Sequence, residues 1–256
     1  MTAGQIDGIL CVMISFIIPI YNKGSILLKT LNSLTDKLSK AKFSKFEIII
    51  IDDGSKDDSF YEAFRFKRSN KKLGKIKIFH YGQNLGKGYA LKYGFIKSTG
   101  DPVIFLDGDM DIDTKQVIKA IEKFNKINPD ILIGSKYHIQ SRLHYPFNRY
   151  LYSRILKIII WLLFNLSVTD TQVGLKIFQR KVLAKVFPKI LVKRFAVDLE
   201  ILIVANKYGY KKIIEIPVII KHTSANCSTI NYMSTINFMQ DLASLFYRNY
   251  ILHHYD

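Results

Sequence analysis

Apolar and polar positions alternate in two periods along the first half of the chain. Ile14 to Ile20 is a short apolar run containing Pro19 and stopped by Asn22, the pattern of one buried strand. From Ser25 to Lys40, Leu27, Leu28, Leu31 and Leu34 fall at helical spacing. Glu47 to Ile51 is β-branched and ends in Asp52-Asp53-Gly54-Ser55, so it reads as a second strand. Ser59 to Asn70 predicts a helix. Lys75 to Tyr81 alternates Lys75 and Lys77 with Ile76 and Ile78, as a strand with one wetter face does. Lys87 to Ser98 predicts a helix ending near Gly100, and Val103 to Leu106 a strand ending in Asp107-Gly108-Asp109. A helix over Thr114 to Phe124 and a strand over Ile131 to Ile133 follow.

This alternation argues for an α/β fold, a parallel sheet with helices on both faces. Ligands of such sheets bind beyond the carboxyl ends of the strands. The acidic clusters sit at the ends of the second and fourth predicted strands, so two independent apolar runs deliver carboxylates to one edge. The second half is less regular. It predicts a long helix over Pro146 to Val168, a strand over Gly174 to Phe178 and a helix over Asp198 to Lys207. A strand over Ile213 to Ile220 and a terminal helix over Ile230 to Tyr250 complete it. The reading is an extension over 1–13 and one domain over 14–256, with a first half, 14–134, and a second, 135–256.

Charge narrows the partners. The formal net charge of +17 calls for an anionic one: nucleic acid, a membrane face or a phosphorylated substrate. Seven of the thirteen residues from Arg65 to Lys77 are Lys or Arg, either a solvated helix end or a contact for anionic headgroups. Cys11 and Cys227 stand far apart and give neither a disulfide framework nor a cysteine metal site. The first thirteen residues lack the basic stretch of a signal peptide. No segment reaches the roughly 20 apolar residues of a membrane span. The expectation is a peripheral protein at the cytoplasmic face of a membrane.

The acidic turns carry the chemistry. Asp107 and Asp109 flank a glycine, and side chains at i and i+2 on an extended strand end share a face. Two carboxylates on one face suit Mg²⁺ or Mn²⁺, which take their remaining ligands from phosphates and water. Asp111 and Asp113 bring the cluster to four carboxylates in seven residues. The plainer alternative is an exposed acidic turn; the buried run Val103-Ile104-Phe105-Leu106 behind it favours the metal. Asp52-Asp53-Gly54-Ser55 is either a nucleotide-facing turn or a turn in which Ser55 or Asp57 caps the next helix. Asn84-Leu85-Gly86-Lys87-Gly88 lacks the phosphate-loop spacing. Gly-rich backbone and Lys87 at a helix start still admit phosphate there.

On the long helix, Arg149, Ser153, Arg154, Lys157 and Asn165 fall in one half of the wheel. Leu151, Ile155, Ile158, Ile159, Leu162 and Leu163 fall in the other. The helix becomes apolar nearly all round at Ile160, Trp161 and Phe164. It either packs on the sheet or lies in a lipid interface. Arg149 and Ser153, one turn apart, suit a phosphate.

Taken together, Ile17-Ile18-Pro19-Ile20-Tyr21-Asn22, Ile51-Asp52-Asp53-Gly54-Ser55, Asn84-x-Gly86-Lys87-Gly88 and Asp107-Gly108-Asp109 resemble the family 2 glycosyltransferases in order and spacing. The resemblance implies a GT-A fold. Gly134-Ser135-Lys136-Tyr137, Asp170-Thr171-Gln172-x-Gly174-x-Lys176 and Arg194-Phe195-Ala196-x-Asp198-x-Glu200 resemble the branch acting on polyprenyl phosphates. They look closer to the dolichyl-phosphate glucosyltransferases than to the mannose synthases. The resemblance implies that Pro19, Tyr21, Ile51 and Asp53 line the base and ribose, with Lys23 and Lys87 also in the nucleotide-sugar site. Asp107, Gly108, Asp109 and Asp111 would surround metal and diphosphate, with Asp107, Asp109 and Asp111 as metal ligands. Lys136, Arg149 and Ser153 would hold the acceptor phosphate. Lys23 stands where relatives commonly carry an acid, and Lys221 or His222 substitutes for a late lysine.

The implied activity is transfer of a hexose from a UDP- or GDP-sugar to a polyprenyl (dolichyl) phosphate with inversion, as in protein glycosylation. Asp107 and Asp109 are its catalytic carboxylates. Asp198 is the candidate base if the acceptor is instead a sugar hydroxyl. A glycan-building glycosyltransferase, a basic nucleic-acid-binding protein and a non-catalytic nucleotide-sugar-binding scaffold are the alternatives. No nucleic-acid-binding motif supports the second of these.

Overall fold

A computed structural model describes residues 13–41, 43, 45–70, 75–109, 112–143, 147–220 and 232–256; within these, the side chains of residues 25, 142–143, 147–153, 220 and 232–235 lie outside the description. Cys11, Cys227, Lys221, His222, Asp111 and nearly all of the predicted extension therefore lie outside the described residues, as do the side chains of Arg149 and Ser153.

The first half follows the pattern read from the sequence. It runs β1 (Ile14–Ile20), α1 (Gly24–Lys40), β2 (Phe46–Asp52), α2 (Ser59–Ser69), β3 (Lys75–His80), α3 (Lys87–Lys97), β4 (Val103–Phe105), α4 (Thr114–Ile127) and β5 (Ile131–Ser135). The second half adds β6 (Arg142–Leu143), α5 (Phe147–Phe164), β7 (Lys176–Phe178), α6 (Arg180–Val186), α7 (Val197–Lys207), β8 (Ile213–Pro217), β9 (Ile219–Ile220) and α8 (Tyr232–Phe246). A 3-10 turn, Phe187–Lys189, follows α6, and a π turn, Tyr247–Ile251, follows α8.

Seven strands form one sheet in the order β3-β2-β1-β4-β7-β5-β8. All its pairings are parallel except those of β7, which runs antiparallel to both β4 and β5. Successive side chains of a strand point to opposite faces, so the sheet carries two cores. Phe16, Ile18, Ile48, Ile50 and Ile104 join Leu27, Leu31, Ala63, Phe66 and Ile121 of α1, α2 and α4 on one side. Ile17, Ile49, Ile51, Val103 and Phe105 join Leu91, Val182, Leu202 and Ile160 of α3, α6, α7 and α5 on the other.

Several elements depart from the sequence reading. The predicted strand Ile213 to Ile220 is broken at Val218: β8 stays in the main sheet, and β9 pairs with β6 in a separate two-stranded ladder. The long helix stops at Phe164 because Asn165 adopts the left-handed region (φ 47°), although Leu166 beyond it is buried. Its apolar end is not uniformly buried. Ile160 and Phe164 enter the core, whereas Ile155, Ile158, Trp161 and Leu162 are exposed. Among the described residues, no helix is long and apolar enough to cross a membrane.

Candidate active site at the carboxyl edge of the sheet

The register sets the site. β1 lies between β2 and β4, with Pro19 opposite Ile51, Ile20 opposite Asp52 and Ile17 opposite Phe105. The residues just beyond these strands, Tyr21, Asp53 and Asp107, therefore emerge at one edge, as the two acidic runs predicted. The loops are stitched together. Asn22, in the left-handed region (φ 50°), receives its backbone N–H bond partner from Ser55 Oγ (3.0 Å), and its Oδ1 accepts from the Lys56 N–H (2.9 Å). The Lys23 N–H donates to Ser59 Oγ (2.7 Å). Asp57, rather than Ser55, ties the two helix starts: it accepts from the N–H groups of Gly24 and Ser59, both at 3.0 Å.

Asp53 is buried and turned toward the loop after β3. Its oxygens accept from the N–H groups of Leu85 (2.7 Å) and Gly86 (2.9 Å). Burial outweighs these bonds and raises its pKa above the usual carboxylate value. Burial and the neighbouring Asp53 likewise push the Tyr81 phenol up.

The glycines around Lys87 serve packing. A Cβ at Gly86 (φ 93°) would lie 2.3 Å from the Lys193 carbonyl oxygen, and one at Gly88 2.2 Å from that of Val192. The Gly88 N–H donates to Lys193 O (2.6 Å), so this donor is already engaged within the fold. Glu200, fully buried, fixes the facing segment by accepting from the N–H groups of Leu191 and Val192.

Lys87 instead joins two carboxylates. Its Nζ lies 2.9 Å from Asp107 Oδ1 and 2.9 Å from Asp198 Oδ2. Burial works against this ammonium, but the two carboxylates outweigh it and hold its pKa above the lysine range. Asp198, 2 % exposed, has its other oxygen 2.7 Å from Nζ of Lys176, which is 1 % exposed and also donates to Val173 O (2.6 Å). Burial opposes the Asp198 carboxylate, yet the two ammonium groups hold its pKa below the usual range. For Lys176 burial dominates and lowers the pKa. Both oxygens of the predicted base are thus bonded to cations.

Asp109 pairs with Lys23 at 3.3 Å. Gly108 lets this turn close on β1, since a Cβ there would lie 2.8 Å from Ile20 Cγ2. Asp113 leaves the acidic cluster to cap α4, accepting from the Lys115 N–H (2.9 Å). Among the described residues no three His, Cys, Asp or Glu side chains converge as a metal site. Asp107 and Asp109 supply a pair of hard oxygen donors flanked by lysines, a set that suits Mg²⁺ or Mn²⁺ arriving with a diphosphate.

A second cation cluster lies across the segment that precedes β7. The Lys136 N–H donates to Asp170 Oδ2 (2.9 Å), and its Nζ lies 3.4 Å from Asp170 Oδ1. Lys136 and Lys157 both approach the Tyr137 ring, at 5.2 and 5.0 Å from its centroid. A solvent-open cleft lined by Lys136, Tyr137, Lys157 and Gln172 lies here. One segment therefore joins the clusters: Asp170 orients Lys136, Val173 and Lys176 hold the Asp198 pair, and Gly174 packs against Asp107. Sequence reasoning quoted this motif but gave Lys176, Lys157 and Glu200 no role. A lysine inside an otherwise apolar strand and an acid two positions after Asp198 were the available signals.

Comparison with known proteins agrees with this geometry. The family described as Glycosyl transferase family 2 matches residues 15–187. The chain is 32 % identical over 235 residues to a dolichyl-phosphate beta-glucosyltransferase of Saccharomyces cerevisiae, covering 81 % of this chain and 66 % of that one. It is 28 % identical over 206 residues to the Homo sapiens protein of the same description, covering 75 % and 63 %. The chain thus spans just under two thirds of the length of these curated relatives. Among solved structures, mannosyl-3-phosphoglycerate synthase from Rubrobacter xylanophilus superposes with a TM-score of 0.72 at 12 % identity, covering 96 % of this chain and 76 % of that one. Glucosyl-3-phosphoglycerate synthase from Mycobacterium tuberculosis, solved with Mn²⁺, UDP and glucosyl-3-phosphoglycerate, gives 0.65 at 17 %, covering 92 % and 79 %. These likenesses establish the GT-A fold.

Proposed function

The chain belongs to glycosyl transferase family 2, and from that premise we propose that it transfers glucose from UDP-glucose to dolichyl phosphate, with inversion at the sugar C1. The observation that carries this reading is the Asp170–Lys176 segment. It abuts the carboxylate that would face the donor diphosphate and orients the lysine that would face the acceptor phosphate.

An acceptor phosphate monoester has a second pKa near 6 and is largely a dianion at neutral pH. Its oxygen attacks C1, the new C1–O bond forms, and the bond from C1 to the β-phosphate oxygen breaks, releasing UDP. No proton has to be removed. This suits a site in which Asp198 is held between two ammonium groups and has no oxygen spare for a hydroxyl proton. A sugar-hydroxyl acceptor would need that base, so the clamp favours the phosphate. Lys136, with Arg149 and Ser153 as the resemblance implies, would position the acceptor and offset its charge. Tyr21, Lys23 and Asp53, with Pro19 and Ile51 behind them, would line the nucleotide. A divalent cation held by Asp109 with Asp107, and with Asp111 as the resemblance adds, would neutralise charge on the departing diphosphate.

The enzyme would work as a peripheral protein at the cytoplasmic face of a membrane. The exposed Ile155, Ile158, Trp161 and Leu162 of α5 and the exposed Tyr247, Tyr250, Ile251 and Leu252 give an apolar contact. The test is incubation with labelled UDP-glucose or GDP-mannose, dolichyl phosphate in vesicles and Mg²⁺ or Mn²⁺. Label from UDP-glucose should enter the organic phase, and chelator should stop it. Label only from GDP-mannose would correct the donor; label in neither would overturn the reading.

A further inference from the structure

Resting on the donor-site reading above, the inference concerns four charges that alternate along one line: Asp107, Lys87, Asp198 and Lys176. Adjacent members are 2.9, 2.9 and 2.7 Å apart. Only Asp107, at the solvent end, is substantially exposed. The line is neutral as a whole, with two carboxylates and two ammonium groups.

Its inner pair is not explained by stability. Desolvating an ion pair commonly costs as much as the pair returns, and a well-packed apolar pair would hold β7 to α7 at least as well. Nor does the pair serve a base, because both Asp198 oxygens are occupied. What it controls is the sharing of Lys87. That ammonium is equidistant from Asp107 and Asp198. How far it neutralises Asp107 depends on how far Lys176 has already neutralised Asp198.

We propose that Lys176 is a positioning residue that sets the cation affinity of Asp107, acting through Asp198 and Lys87. Without Lys176, Asp198 draws Lys87 inward and Asp107 is left more negative. Without the Asp198 charge, Lys87 belongs wholly to Asp107, and Lys176 adds an uncompensated positive charge behind it. With both removed, the line is neutral again. The two single changes therefore act on cation binding with opposite sign, and together they cancel. Neither a general base nor a merely structural pair gives that pattern.

The experiment measures Mn²⁺ binding in the presence of UDP, by the paramagnetic resonance signal of free Mn²⁺ and by calorimetry, with a thermal melt for each variant. Lys176→Met should bind Mn²⁺ about tenfold more tightly and Asp198→Asn about tenfold more weakly, for a unit charge acting over several ångströms of partly screened interior. The double variant should lie within about threefold of the wild type. If Lys176→Met does not fold, recovery in the double variant of the affinity lost in Asp198→Asn still decides the matter. Unchanged affinity in the variants, or losses that add, would overturn the proposal while leaving the donor site intact. A wild type that binds no Mn²⁺ with UDP would instead overturn the donor-site reading itself.

Discussion

Gly174 is where a single methyl group should separate activity from folding. Its backbone is outside the left-handed region, so alanine meets no conformational penalty there. The space does not exist, however. A Cβ would lie 2.3 Å from Asp107 Oδ2, 2.6 Å from its Cγ and 2.9 Å from its Cβ. Ordinary contact begins at about 3.5 Å, so the carboxylate must retreat by roughly 1 Å. Side-chain rotation alone cannot relieve this, because the Asp107 Cβ is itself too close. The displaced carboxylate would lose its bond to Lys87 and its place at the diphosphate. A misplacement of that size costs about a hundredfold in rate, or roughly 2.7 kcal/mol of transition-state stabilisation. The assay is kcat/KM for glucose transfer to dolichyl phosphate, with a thermal melt beside it. Gly82→Ala is the control, since nothing lies within 4 Å of its added Cβ. Gly174→Ala should lose about a hundredfold in kcat/KM and shift the melt by only a few degrees. Retention of more than about a third of wild-type kcat/KM, or a loss equalled in Gly82→Ala, would refute the reasoning.

Three further outcomes are expected. Gly86→Ala should destabilise the fold by more than about 2 kcal/mol in urea titration, because φ is 93° and the new Cβ meets the Lys193 carbonyl at 2.3 Å. Glu47 is fully buried; burial would raise its pKa, but bonds from Lys77, Ser15 and Thr99 outweigh this and lower it to about 2 from 4.5. A depressed folded pKa gives stability that is present above pH 4.5 and lost as pH falls toward 2, on the order of 3 kcal/mol, so Glu47→Gln should flatten urea stability across that window. Trp161, the chain's single tryptophan, is 56 % exposed on α5, so its emission should move to shorter wavelength on anionic vesicles. Ile158→Asp should abolish that move; an unchanged spectrum in the wild type would remove α5 from the membrane contact.

The acidic edge was legible because each aspartate cluster follows an apolar run long enough to be a buried strand. The placing of Tyr21, Asp53 and Asp107 on neighbouring strand ends follows from those runs alone. β7 resisted reading. It has three residues, and its buried Lys176 reads as polar until Asp198 is known to face it. Asp113 counted as a fourth carboxylate in the sequence, but a residue one position before a helix is equally an N-cap, and that use won. Asp198 matched a catalytic acid in type and motif. Spacing along one chain does not reveal that two lysines from other elements occupy it. The run from Ile213 to Ile220 has continuous β character, and only its pairing partners show where one ladder ends and another begins.

The reversed strand also has a temporal meaning. β7 fills the gap between β4 and β5, yet it is reached more than forty residues after β5 in the chain. As the polypeptide leaves a ribosome, β3, β2, β1 and β4 can zip together at once, while β5 must wait, unpaired on that side, for its neighbour to arrive. A stalled product ending before residue 176 would hold two raw sheet edges and a half-built pole of charge. Such a fragment would be a client for chaperones rather than a smaller enzyme, and the moment the last wedge of sheet slides in is also the moment the catalytic edge comes into being.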